Sequence, residues 1–339
     1  MLQAQRLTLT SRAFHSDQFA EYAEFITSYF GYDKVLPMNT GVEAVETAIK
    51  LARRWGYVSK GIPENKARII AFENNFHGRT TGVISFSSDP SSYNGFGPFL
   101  PGFDVIPYNN LSALEKALQN NEVAAILIEP IQGEAGVVVP DEGYLSKAYT
   151  LCKQANVLFI ADEIQTGLGR TGKMLACDHE GVRPDILLLG KALSGGVMPV
   201  SAVLADDDIM LTIQAGEHGS TYGGNPLASA VAITALTVLK EEKMIQNAAV
   251  MGEYFRKGID SIRSPFVESV RGKGLLNAVI IRETRPELAW ELCMELQENG
   301  LLAKPTHGNK IRFAPPLSIS TSQMDECLEI IGDSLAILK

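Results

Sequence analysis

The sequence lacks several features that would each have marked a class of protein. No apolar stretch among its 339 residues approaches the ~20 needed to span a bilayer. Its first residues, MLQAQRLTLTSRAFHSDQF, have neither the apolar core nor the cleavage site of a secretory leader. Cysteine is scarce: Cys152, Cys177, Cys293 and Cys327 stand far apart with no C-x-x-C pair, which reads as reduced thiols in a cytosol-like compartment. The five histidines are equally scattered, without H-E-x-x-H or a similar ligand spacing, so no metal site is expected. Lysine and arginine form no stripe and the net charge is -9, which argues against nucleic acid as a partner. Repeats and low-complexity linkers are missing as well.

What is present is an ordinary globular composition, 45% hydrophobic and 20% charged, in a chain long enough for one large domain and a smaller one. Residues 18–30 (QFAEYAEFITSYF) place apolar side chains at helical spacing, with Gly31 as a stop. Short β-like runs then alternate with helical ones. VLPM precedes VEAVETAIKLARRW, RIIAF precedes a helical reading of residues 74–85, and VAAILIE precedes YLSKAYTLCKQA; NVLFIADE, DILLLGK and PVSAVLA follow. Strands that are apolar throughout and separated by helices predict an α/β fold with a mostly parallel sheet sandwiched by helices. After about residue 236 the pattern becomes helix (244–262), strand (267–281) and helix (286–299), then short β pieces at LLAKP and IRFAP and a helix over 321–338. This predicts a smaller C-terminal α+β domain. The expected division is 1–34 as a helical lead-in, 35–235 as the large domain and 236–339 as the small one, with the boundary inside a helix that starts near Pro226.

In parallel sheets ligands bind at the carboxyl ends of the strands. Those ends carry Glu129 after VAAILI, Asp162 and Glu163 after NVLFIA, Lys191 after DILLLG, and the turn Thr40-Gly41-Val42 after VLPMN. A lysine directly after a buried strand either snorkels to the surface or is used chemically, and the small residues Ala-Leu-Ser-Gly-Gly after Lys191 leave room for a second body. A lysine that forms a Schiff base with pyridoxal phosphate, opposite a carboxylate that holds the ring nitrogen protonated, would suit Lys191 and Asp162. The plainer reading of Asp162 is a cap on backbone N–H groups. Gly41 and Val42, at the start of a helix, offer N–H groups and a dipole to a phosphate. Ser220 and Thr221 in GSTYGGNP suit either a cap or a second phosphate grip. Phe76 in NNFHGRT is either core or a ring that stacks on the cofactor.

A rival signal is Gly167, Gly169 and Gly172 in DEIQTGLGRTGK, which spell the G-x-G-x-x-G of dinucleotide sites. That fingerprint requires a helix to open from it, and KMLACDHEGVRPD shows no helical period. Nicotinamide chemistry is therefore the weaker expectation.

The strings NTGVEAVETAIKLAR, NFHGRT, EPIQGEAG, ADEIQTGLGRTGK, LGKALSGG and GSTYGGNP resemble the fold-type I, class-III (omega) aminotransferases, in family order from about residue 7 to the end. FGPFLPG, GEHGSTYGGNPL, GLLAKPTHG and IRFAPPL resemble the branch of that family that acts on ornithine. The resemblance implies pyridoxal 5'-phosphate bound through Lys191, its ring nitrogen on Asp162, its ring hydroxyl on Gln165 and its face under Phe76. Gly41 and Val42 would hold the phosphate together with Ser220 and Thr221 of the partner subunit, in a homodimer with shared sites. Lys191 would also act as the general base. Arg79 would bind a substrate carboxylate. Arg312 would bind the 2-oxo acid and be masked by Glu134 while ornithine is bound. The implied reaction moves the δ-amine of L-ornithine to 2-oxoglutarate; acetylornithine or 4-aminobutyrate as donor, or a non-catalytic truncated homologue, are the alternatives.

The resemblance also brings a departure, since family members carry a further N-terminal segment before the position of MLQAQRL. The wording of HGRT and GLGRTGK is bacterial-like and points to the cytoplasm, with the mitochondrial matrix open for a eukaryotic source.

Overall fold

Seven strands build the sheet of the first of two structural units in the computed structural model, which describes residues 2–11 and 13–338. They are β1 (Lys34–Met38), β2 (Arg68–Phe72), β3 (Phe103–Ile106), β4 (Val123–Ile128), β5 (Leu158–Asp162), β6 (Ile186–Leu189) and β7 (Ser201–Ala205), in the order β1-β7-β6-β5-β4-β2-β3. β3, β2, β4, β5 and β6 run parallel; β7 pairs antiparallel with β6 and β1 antiparallel with β7, so β1 runs with the other five and β7 alone against them. Every residue of β4, β5, β6 and β7 is buried, as a sheet covered on both faces requires.

Alternation along the strands feeds two cores. Ala125, Leu127, Ile160 and Leu188 face the helix Gly41–Val58 through its Ala44, Val45, Ala48, Leu51, Ala52 and Trp55. Ile126, Ile128, Phe159 and Ala161 face the helix Tyr144–Gln154 through Leu145, Ala148 and Cys152. Each fully buried Ile or Leu stabilises the fold by roughly 1.5–3 kcal/mol relative to exposure. The helix Gly41–Val58 starts sharply because Thr40 and Glu43 form a capping box: Glu43 N donates to Thr40 Oγ1 and Thr40 N donates to Glu43 Oε2 at 2.6 Å.

The first unit comprises Met1–Pro130, Pro140–Gln165 and Cys177–Val238; the second comprises Ile131–Val139, Thr166–Ala176 and Leu239–Lys339. The second unit has an antiparallel sheet of β8 (Val267–Lys273), β9 (Leu276–Ile281), β10 (Lys304–Thr306) and β11 (Lys310–Phe313), ordered β10-β11-β9-β8. Its long helices are Met244–Ile262, Leu288–Glu298 and Thr321–Ile337.

Three details differ from the sequence reading. Residues 74–85 form a loop rather than a helix, with only the single turn Val83–Phe86, because Asn74 (φ 61°) and Gly78 (φ 130°) take backbone angles no helix contains. The strand expected over 267–281 is a hairpin, turned at Gly274 (φ 52°). The units are also not continuous in sequence: the small one recruits Ile131–Val139 and Thr166–Ala176 from between strands of the large one. Among the described residues no helix is long and apolar enough to cross a membrane.

Candidate active site

Asp162, Lys191 and the helix start at Gly41 lie where strands of the first unit end, while Ser220 and Thr221 lie in the loop before the helix Pro226–Glu241. Pairing of Ile128 with Ala161 sets Glu129 and Asp162 at neighbouring ends, and β6, paired to Asp162 through Leu188, leads through Gly190 to Lys191. Asp162 is 5% exposed; its Oδ2 accepts from His77 Nδ1 at 2.7 Å and its Oδ1 from Ile164 N at 3.1 Å. Lys191 is exposed and has φ 40°, a left-handed angle that costs a side-chain-bearing residue about 1 kcal/mol or more and concentrates at functional sites.

Glycines let these segments close on one another. A Cβ on Gly41, the first residue of its helix, would lie 3.1 Å from Ile164 Cγ2, and a Cβ on Gly190 would meet the same methyl at 3.1 Å. Ile164, between Asp162 and Gln165, thus packs between the helix start and the lysine turn. A Cβ on Gly78 would come within 2.4 Å of Val42 Cγ2, so the loop carrying Phe76, His77 and Arg79 rests on the second residue of that helix. Arg79 is exposed, with its guanidinium 5.6 Å from the centre of the half-buried Phe76 ring. Ser220 accepts from Asn39 Nδ2 at 2.8 Å within the same chain, and Thr221 follows it, exposed. Both line a cavity of about 910 Å³ together with Val42, Thr80 and Lys50.

The electrostatics at these strand ends are unusual. Burial pushes the Glu129 carboxyl up to about 7, with the nearby Asp162 charge adding to the rise; His77, the Phe76 N–H and Lys191 oppose it. Burial by itself would lower the His77 imidazole, but its hydrogen bond to Asp162 and the charges of Asp162 and Glu129 outweigh burial and hold it raised. Glu163, 1% exposed, accepts from Cys177 N at 2.8 Å.

Arg79 belongs to the first unit, whereas the other two expected substrate residues belong to the second. The turn Ile131–Val139 is closed by paired bonds between Gln132 and Val138 and held by Arg271, whose guanidinium donates to Gly136 O at 2.8 and 3.0 Å. It presents Glu134 to Arg312, whose Nη1 donates to Glu134 Oε1; Lys304, directly across from Arg312 in the β10–β11 pair, lies 3.6 Å from Oε2. The glycine loop also belongs here. No helix of the dinucleotide kind opens from it; a Cβ on Gly172 would stand 2.9 Å from Ala249 Cα, and one on Gly169 3.1 Å from Ile245 Cγ1. Arg170 locks the loop by donating to Leu275 O and Pro315 O. These glycines serve close packing on the helix Met244–Ile262.

A lysine turn after β6, a buried carboxylate at the end of β5 and a glycine-opened helix after β1 form a donor set that matches few chemistries. The family model for aminotransferase class III matches residues 1–335. The chain belongs to the class-III aminotransferases. Within them it is 62% identical over 333 residues to the mitochondrial ornithine aminotransferase of Rattus norvegicus, covering 98% of this chain and 76% of the relative. The ornithine aminotransferase structure from Toxoplasma gondii superposes with a TM-score of 0.97 at 50% identity, covering 98% of this chain and 80% of that one, and holds pyridoxal phosphate at partial occupancy. An acetylornithine aminotransferase from Elizabethkingia anophelis gives 0.90 at 53% identity, covering 99% and 83%.

A class-III aminotransferase works with pyridoxal 5'-phosphate, and the residues present fit that group. The buried Asp162 carboxylate suits a protonated ring nitrogen, Lys191 an aldehyde, the half-buried Phe76 a ring face, and the N–H groups at the start of Gly41–Val58 a phosphate. Sequence reasoning gave no role to His77 or Ile164 and only noted Glu129 as a strand end. The signals were there: His77 adjoins Phe76, and Ile164 sits between two polar residues assigned to the cofactor.

Proposed function

We propose that this class-III aminotransferase transfers the δ-amine of L-ornithine to 2-oxoglutarate, giving glutamate 5-semialdehyde, which cyclises to pyrroline-5-carboxylate, and L-glutamate. When bound, pyridoxal 5'-phosphate supplies an aldehyde for the amine and a ring that accepts electrons from the neighbouring carbon. Lys191 anchors it and carries a proton to and from the reacting carbon. Asp162, braced by His77 and the Ile164 N–H, holds the ring nitrogen; Gln165 takes the ring hydroxyl; Phe76 covers one face; Gly41 and Val42 receive the phosphate. Two half-reactions on one site predict ping-pong kinetics.

The observation that carries the substrate reading is the Glu134–Arg312 pair, half-buried and backed by Lys304. A guanidinium fork suits the α-carboxylate of a 2-oxo acid, and a carboxylate that neutralises it keeps it silent while a diamino acid is bound. Arg79 serves a carboxylate of either substrate.

The test is an assay for pyrroline-5-carboxylate with protein, pyridoxal 5'-phosphate, ornithine and 2-oxoglutarate. No product from folded, cofactor-loaded protein refutes the activity. The 53% identity to an acetylornithine aminotransferase makes N-acetylornithine the donor to compare, with 4-aminobutyrate beside it. We also propose a homodimer in which Ser220 and Thr221 complete the partner's phosphate site. The exposed Phe96, Phe99, Leu100, Val197 and Tyr222 of the first unit support an association surface, and light scattering tests it. Four cysteines without a disulfide suit a reducing compartment, cytosol or mitochondrial matrix.

A further inference from the structure

Glu129 follows six fully buried apolar residues, a place where a carboxylate is costly unless its charge is used. It is 7% exposed, and its Oε2 accepts the Phe76 N–H at 2.9 Å. The next residue, His77, is buried, donates from Nδ1 to Asp162, and packs on Phe86 with ring centres 5.8 Å apart. One carboxylate therefore grips the backbone of the residue whose ring is assigned to the cofactor face, next in sequence to the imidazole that braces the cofactor's acid. The charged and titratable groups around Glu129 are His77, Asp162, Lys191 and Tyr108, and the Tyr108 hydroxyl donates to the Glu129 and Pro130 carbonyls.

We infer that Glu129 is a positioning residue for transamination: it fixes the Phe76–His77 backbone and, by its charge, biases the His77 imidazole that holds Asp162. Glu129 touches neither cofactor nor substrate in this scheme and acts through His77. The Glu129 charge raises His77, while His77 opposes the burial that pushes Glu129 up, as two groups that sense each other's charge should. The inference rests on the cofactor reading above, but its decisive measurement needs neither cofactor nor turnover.

That measurement is the titration of the His77 imidazole by NMR in cofactor-free protein with labelled histidine, the resonance assigned with His77→Gln. In wild type the midpoint should lie above the ordinary value of about 6.5. Glu129→Gln, which keeps an acceptor for the Phe76 N–H, should lower it by about half a unit or more, and Glu129→Asp, which keeps the charge, should leave it near wild type. Should the glutamine variant not fold, Glu129→Met removes the charge with similar length and should give the same downward shift. A midpoint unchanged by loss of the charge, or a wild-type midpoint at or below the ordinary value, overturns the inference. In the loaded enzyme, Glu129→Gln should displace the pH dependence of the visible absorbance and Glu129→Asp should restore it toward wild type. Wild-type absorbance that ignores ornithine would count against the proposed reaction alone, since the His77 midpoint is read without substrate.

Discussion

Adding one methyl group at Gly78 should break the seating of the Phe76–Arg79 loop, and the structure sets the size of the effect. The new Cβ would lie 2.4 Å from Val42 Cγ2 and 2.7 Å from Val42 Cβ, with Val83 Cγ2 at an ordinary 3.4 Å. The backbone angle, φ 130°, adds roughly 1–3 kcal/mol of strain for any side chain, and overpacking adds roughly 1–3 more. Gly78→Ala should therefore cost roughly 2–6 kcal/mol in urea unfolding of the cofactor-free protein. Because Val42 Cβ is itself in the way, Val42→Ala in the Gly78→Ala background should relieve only part of this, and Val42→Gly, which removes both atoms, more. A coupling of at least about 1 kcal/mol is expected between Gly78→Ala and Val42→Gly. Affinity for pyridoxal 5'-phosphate, followed by absorbance, should fall about tenfold or more in Gly78→Ala. The reasoning fails if Gly78→Ala is as stable as wild type, or if Val42→Ala rescues as fully as Val42→Gly.

Other outcomes follow from the same geometry. Arg312→Ala should lower kcat/KM for 2-oxoglutarate by roughly 100-fold, the scale of losing one partner of a desolvated charge pair, and leave the ornithine half-reaction within several-fold, as single-turnover absorbance will show. Gly172→Ala should cost roughly 2–6 kcal/mol, from φ 82° and the 2.9 Å approach to Ala249, whereas Gly181→Ala, with φ 65° and open space, should cost only about 1 kcal/mol; thermal and urea unfolding compare them. Glu129 has a folded-state position raised to about 7, so its protonated form is the one favoured by folding. Stability from this group is full below about 4.5 and is lost as pH rises to 7. Glu129→Gln should thus gain on wild type across that window, by on the order of 3 kcal/mol, and no further above it; urea unfolding at pH 5 and pH 8 decides.

Much of the large unit was legible because its strands are apolar on both faces and end in polar residues, a pattern that locates the sheet and its ligand-facing edge together. That rule alone singled out Lys191, Asp162 and the Gly41 helix start, and the structure has them at strand ends. Residues 74–85 misled because their apolar positions imitate a helix, while the left-handed angles at Asn74 and Gly78 become necessary only when the loop meets Val42. Spacing could not reveal that Glu134 faces Arg312, since 178 residues separate them; only the resemblance paired them. The glycine fingerprint looked like a ligand motif because close packing of backbone on a helix and close packing of backbone on a phosphate demand the same residue.

The recruitment of Ile131–Val139 and Thr166–Ala176 into the second unit has a consequence for synthesis. Ile131, Val137 and Ala176 share a small core with Leu276, Ala278 and Ile280, residues about a hundred or more positions later. While the ribosome is still building β8 and β9, the two segments have left the exit tunnel without their apolar partners. The seven-stranded sheet can be complete by then, yet two of its connections must wait, exposed, for a unit that does not yet exist. Chaperone demand should peak in that interval, and a ribosome-arrested chain ending near residue 250 should be cut by protease within 131–139 and 166–176 before anywhere in β4 or β5.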